Sequence, residues 1–76
     1  MVSVVLPELG EGITKATVSC WYAKPGDVVR EGDDVVELVT DKAAFNVSAT
    51  ASGRLKKIFS KEGDEVAIGQ PLAEIE

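Results

Sequence analysis

Histidine is absent from the 76-residue chain, and there is one cysteine, Cys20. Without histidine the Ser-His and Cys-His nucleophile systems and the common zinc sites cannot be assembled, and a single thiol cannot close an internal disulfide. Hydrolase and metalloenzyme readings fall on those grounds. Aromatic residues make up only 5% of the chain, and Lys and Arg number 8 against 13 Asp and Glu, for a formal net charge of -5. Nucleic acid needs clustered cations, and here the densest group is the short run of Arg54, Lys56, Lys57 and Lys61. Nucleic acid is therefore not expected as a partner. No apolar run is long enough to span a membrane, and neither a signal-peptide pattern nor an Arg-rich, Ser-rich transit segment follows Met1. The expectation is a soluble chain with no membrane partner. It works in the cytoplasm, or in the mitochondrial matrix if a eukaryotic targeting piece has been processed away.

What is present is β-forming. Hydrophobic residues make up 45% of the chain, eleven of them valine, in short runs separated by Gly or Pro turn signals. Strands are expected over residues 2–6, 17–23, 28–29, 35–39, 45–49, 54–60, 66–67 and 72–75, with turns at "KPGD", "REGD", "TDKA", "KEGD" and "IGQP". No stretch reads as an amphipathic helix capped at both ends. A chain of this length forms one small domain near the lower limit for independent folding, which leaves little room for a large internal cleft.

The most informative pattern is an internal repeat: "KPGDVVREGDDVVEL" and "KEGDEVAIGQPLAEI" align without a gap at a spacing of 37 residues. Lys24, Gly26, Asp27, Val29, Gly32 and Glu37 recur as Lys61, Gly63, Asp64, Val66, Gly69 and Glu74. Upstream, Val18, Trp21 and Tyr22 align with Leu55, Ile58 and Phe59. Two four-strand half-domains, each with half a core, are expected to stack into a flattened β-barrel or sandwich of two four-stranded sheets with pseudo-twofold symmetry. The repeated glycines suit turns with positive φ, and the repeated aspartates can hydrogen-bond the backbone there. The spacing of Val18 to Trp21, and of Leu55 to Ile58, does not suit one face of a flat strand, so a bulge or strong twist is expected in each.

The halves differ in one loop, since about eleven residues lead to Val18 and about five to Leu55. Extra loops on a rigid scaffold are frequent recognition sites, and residues 9–13 lie in this one. The sequence "VTDKAAF" at the junction places Lys42 in the hairpin that joins the halves, as the counterpart of the end where the termini meet.

These features together resemble the lipoyl domain of dihydrolipoyl acyltransferases, a branch of the biotinyl/lipoyl-attachment family. The resemblance covers nearly the whole chain: "LPELGEGI", Trp21 before "AKPGD", "EGDDVVEL", the "TDKA" turn and the closing "GRLKKIFSKEGDEVAIGQPLAEIE". It implies the barrel-sandwich hybrid fold and a swinging-arm carrier with no catalytic residues of its own. Lys42 would carry lipoic acid in amide linkage, flanked by Asp41 and Ala43 as recognition residues. The implied partners are a lipoate ligase or lipoyl transferase, a thiamine-dependent 2-oxo-acid decarboxylase, an acyltransferase core and a flavin-dependent dihydrolipoyl dehydrogenase. Residues 1–76 would be one such domain, monomeric in isolation and part of a longer acyltransferase.

This chain departs from the family pattern at Val39 and Asn46, where glutamate is usual, at Ser48, where proline is common, and at Ala16, where glycine is frequent. The hairpin is thus less acidic than the pattern. A biotin carrier domain also presents a lysine between quasi-repeats, but that family brackets it with methionines, and the only methionine here is Met1. An unmodified adaptor of the same fold is the other alternative. Asp41 can equally be read as a turn initiator, and residues 9–13 as a loop simply packed on the barrel.

Weaker patterns carry less. "GEG" lacks the third glycine and following helix of a phosphate loop, "NVS" matches a glycosylation site only in a secreted chain, and the acids of residues 27–34 miss the calcium-loop spacing. Trp21 reads as a core anchor, and Cys20 as a small strand residue.

Overall fold

The computed structural model describes residues 2–76. Met1, the sole methionine, lies outside the described residues. Eight strands follow in order: β1 (Val2–Val5), β2 (Lys15–Trp21), β3 (Val28–Val29), β4 (Asp34–Val39), β5 (Ala44–Ser48), β6 (Gly53–Ile58), β7 (Glu65–Ala67) and β8 (Pro71–Ile75). Every expected strand is found, with ends displaced by no more than two residues. They form two four-stranded antiparallel sheets, ordered β1-β8-β6-β3 and β5-β4-β2-β7.

The repeat does not map one half onto one sheet. Each half, β1 to β4 or β5 to β8, gives two strands to either sheet, so the halves interlock. The reason is visible in the turns. Gly26 donates its N–H to the Leu55 carbonyl at 2.7 Å, and Leu55 donates to Asp27 at 2.8 Å. In the other half Gly63 donates to Val18 and Val18 to Asp64, both at 2.8 Å. Each half thus satisfies its turn through a strand of the other, and neither is complete alone.

These turns follow the composition. Gly26 and Gly63 hold φ of 98° and 89°, a region side-chain-bearing residues rarely adopt. The Asp27 and Asp64 carboxylates each accept a backbone N–H, from Lys24 and Lys61, at 2.9 Å. The expected irregularity is a bulge in both halves. The register of β2 with β4 shifts between Val18 and Cys20, and that of β6 with β8 between Leu55 and Lys57. One extra residue in each strand, Ser19 or Lys56, lets residues three apart share a face. Val18 and Leu55 are consequently buried, while Trp21 and Ile58 pack partly buried against the same core.

That core is one cluster between the sheets, with Leu6, Leu38, Leu55, Leu72 and Ile75 its largest fully buried side chains. Burying each such side chain contributes about 1.5–3 kcal/mol. The indole N–H of Trp21 donates to the Ser60 carbonyl at 2.9 Å, adding a polar tie between the halves. The frame so built has extents of 32 × 20 × 17 Å.

Candidate functional site

The β4–β5 hairpin lies at the junction of the halves. In the second sheet Leu38 pairs with Phe45, where the first sheet pairs Ile75 with Val2 beside the termini. The hairpin is therefore the pseudo-symmetric counterpart of the chain ends. Tight two-residue hairpin turns favour positive φ. No non-glycine residue among the described residues has one, so this turn needs another support.

Thr40 supplies it. Its backbone N–H donates to the Ala43 carbonyl at 2.8 Å, closing the hairpin. Its hydroxyl oxygen accepts the N–H groups of Lys42 and Ala43 at 3.2 Å and donates to the Ala43 carbonyl at 3.2 Å. The backbone on either side of the lysine is thereby held by one side chain, and Lys42 itself is exposed. Among the described residues none pairs with the Lys42 ammonium. The amine is thus carried on an ordered turn and left accessible.

Asp41 and Ala43 flank it as expected, both exposed. Among the described residues no hydrogen bond to the Asp41 carboxylate occurs, so turn support comes from Thr40. Sequence reasoning passed over Thr40; the signal was a threonine at the first position of a four-residue turn, where a hydroxyl can fold back onto the backbone. Ala43 contributes both its main-chain polar groups to that arrangement.

The long β1–β2 loop reaches the hairpin. Gly12, Ile13 and Thr14 line an open groove with Thr40, Asp41 and Lys42. Its earlier part, at Leu9, packs against the core. The loop is thus packed on the core at one end and lies beside the lysine at the other. The pair of Lys15 and Glu65 at 3.4 Å also lines the groove, but both side chains are more than 60% exposed, so it contributes little to stability.

Beside the hairpin, two of the residues that depart from the family pattern, Asn46 and Ser48, join a network on the outer face of the second sheet. Asn46 donates to Asp34 at 3.3 Å, Ser48 donates to the other Asp34 oxygen at 3.3 Å, and the Tyr22 hydroxyl donates to Glu37 at 3.2 Å. Partial desolvation, then the Glu37 carboxylate, raises the Tyr22 phenol above its ordinary value of 10.0. Ala16, near the start of β2, is buried.

Residues 2–75 match the model of the family described as "Biotin-requiring enzyme". The chain belongs to the biotin/lipoyl-attachment family. Within it, the chain is 33% identical to the lipoyl domain of the 2-oxoglutarate dehydrogenase complex from Azotobacter vinelandii, covering 100% of this chain and 96% of that one with a TM-score of 0.78. Among curated proteins it is 40% identical over 74 residues to the succinyltransferase component of the 2-oxoglutarate dehydrogenase complex of Rickettsia conorii, covering 97% of this chain. The chain spans only 19% of that relative's length. A segment of the Kluyveromyces lactis urea carboxylase, 6% of that chain, also superposes on 95% of this one, with a TM-score of 0.79 and 32% identity. Backbone likeness alone therefore does not choose the attached group; the match to a whole lipoyl domain and to acyltransferase components identifies this as a lipoyl domain of the acyltransferase type.

Proposed function

We propose that Lys42 carries lipoic acid in amide linkage and that the domain serves as the swinging arm of a 2-oxo-acid dehydrogenase complex. The observation that carries this reading is the unpaired, exposed Lys42 amine on a turn braced by Thr40. A primary amine so placed fits an amide-linked group: it is open to a ligase, and the backbone on both sides of it is fixed. When attached, the lipoyl group supplies a disulfide able to take up acyl groups and electrons. The chain's own residues supply presentation. Thr40 holds the turn, Asp41 and Ala43 flank the modified position, and Gly12 to Thr14 form the neighbouring wall that partner enzymes meet. Acylation removes one positive charge and makes the formal charge of -5 one unit more negative.

The partners under this reading are a lipoate ligase or lipoyl transferase, a thiamine-dependent decarboxylase and a flavin-dependent dehydrogenase. The domain alone has no catalytic role, and tethering within the complex raises the local concentration of the arm at each active site. Biotin is the lesser reading, because Asp41 and Ala43 stand where a biotin carrier has methionines. The test is incubation of the unmodified domain with lipoate, ATP and a lipoate ligase, followed by peptide mapping. A lipoyl increment on Lys42, absent in Lys42→Arg, is expected. Transfer of biotin by a biotin ligase, with no lipoate transfer, would overturn the proposal.

A further inference from the structure

The pseudo-symmetry allows one sheet to serve as the internal control for the other. Equivalent positions on the two outer faces follow from equivalent strand pairings. Asp34 pairs with Ser48 as Pro71 pairs with Val5, and Cys20 pairs with Glu37 as Lys57 pairs with Glu74. Tyr22 and Phe59 make matching backbone bonds, to Val35 and Leu72.

On the second sheet this face is polar and internally satisfied, through Tyr22, Glu37, Asn46, Asp34 and Ser48. On the first sheet Ser3 and Glu74 stand at the places of Asn46 and Glu37, but the other three hydrogen-bonding groups are gone. Phe59 replaces the phenol, Val5 the serine and Pro71 the aspartate. Phe59 and Val5 are left 44% and 43% exposed, and Val28 on the adjoining edge strand 74% exposed.

Charge changes in the same sense. The chain is acidic overall, yet three of its eight cations, Arg54, Lys56 and Lys57, lie on β6 of this sheet. Lys57 lies 5.4 Å from the centroid of the Phe59 ring, on this face, and Arg54 stands opposite Val28 across the β3–β6 pair. Glu74, half-buried, sits opposite Lys57. An aromatic and aliphatic centre with a cationic rim has the make-up of an interface rather than of an ordinary solvated sheet face.

We propose that the outer face of the first sheet, centred on Val5, Phe59 and Lys57, docks an acidic segment of a partner protein that carries a large apolar side chain. Charge complementarity selects the acidic partner. A second copy is disfavoured because the acidic face it would offer already spends its polar groups on one another. This surface is distinct from the Lys42 hairpin and does not rest on the carrier reading.

The test uses the Lys42→Arg domain, isotope-labelled, titrated by NMR with a synthetic peptide of alternating Glu and Leu, and in parallel with an all-Glu and a Lys-Leu peptide. Saturable shifts at Val5, Val28, Lys57 and Phe59 with the Glu-Leu peptide are expected, weakening with added salt. The pair Val5→Ser with Phe59→Tyr, which copies the opposite face and so keeps the fold, should weaken binding at least tenfold, as should Lys57→Glu. No shifts at millimolar peptide, equal binding of the Lys-Leu peptide, or shifts confined to the hairpin would overturn the proposal. Concentration-dependent self-association through the same residues would replace the acidic segment with a second copy and overturn it equally.

Discussion

Replacing Thr40 by valine keeps the shape of the side chain and removes the oxygen on which the lysine turn depends. Two N–H acceptances and one donation are lost, all at 3.2 Å, while the 2.8 Å backbone bond from Thr40 to Ala43 remains. A protein hydrogen bond contributes on the order of 1 kcal/mol net, and water can replace part of it at an exposed turn. The combined loss is therefore about 1 kcal/mol, equivalent to roughly a fivefold rise in local opening. Hydrogen exchange of the Thr40 amide, which closes the hairpin, should speed up about fivefold on that scale, with core amides such as Leu55 unchanged. Modification of Lys42 by a ligase should slow in parallel, and Thr40→Ser should restore both. Unchanged exchange and unchanged modification in Thr40→Val would refute the assignment of the hydroxyl as the support of the turn.

Three further outcomes follow from the same geometry. A methyl group added at Gly53 would meet the Glu76 carbonyl and stand 2.9 Å from Ile75, so Gly53→Ala should cost about 1–3 kcal/mol, read from chemical denaturation. Trp21→Phe leaves the Ser60 carbonyl without its donor across the halves and should cost about 1–3 kcal/mol by the same measurement, with Trp21→Ala costing more. Tyr22, the only tyrosine, should titrate above 10.0 in an absorbance titration, and Glu37→Gln should lower its midpoint. Because the folded state holds that proton more tightly than the unfolded one, the stability this group contributes is complete below pH 10 and declines as pH rises through the folded midpoint.

Much of this was legible in the residues because the local signals agree with one another. Valine-rich runs punctuated by Gly-Asp turns specify the strands, and the recurrence of Lys24, Gly26 and Asp27 as Lys61, Gly63 and Asp64 specifies the pseudo-symmetry. The three-residue spacing of Val18 and Trp21 is enough to call for a bulge, which the register of β2 with β4 contains. The interlocking of the halves was not legible, since which strand completes a given turn depends on contacts between distant residues such as Gly26 and Leu55. Thr40 and the Tyr22 network were hidden for a related reason. A hydroxyl, a carboxamide or a carboxylate on a strand face says nothing of its partner until the register is known. The contrast between the two outer faces likewise emerges only when Phe59 can be compared with Tyr22 at an equivalent place.

The central claim is that Lys42 bears the lipoyl group, and mass spectrometry of the protein isolated from its native host under lipoate-replete conditions tests it most directly. The account predicts an intact mass raised by one lipoyl increment that maps to the peptide containing Lys42. An unmodified Lys42 with a competent ligase present, or a biotin-sized increment in its place, would contradict it.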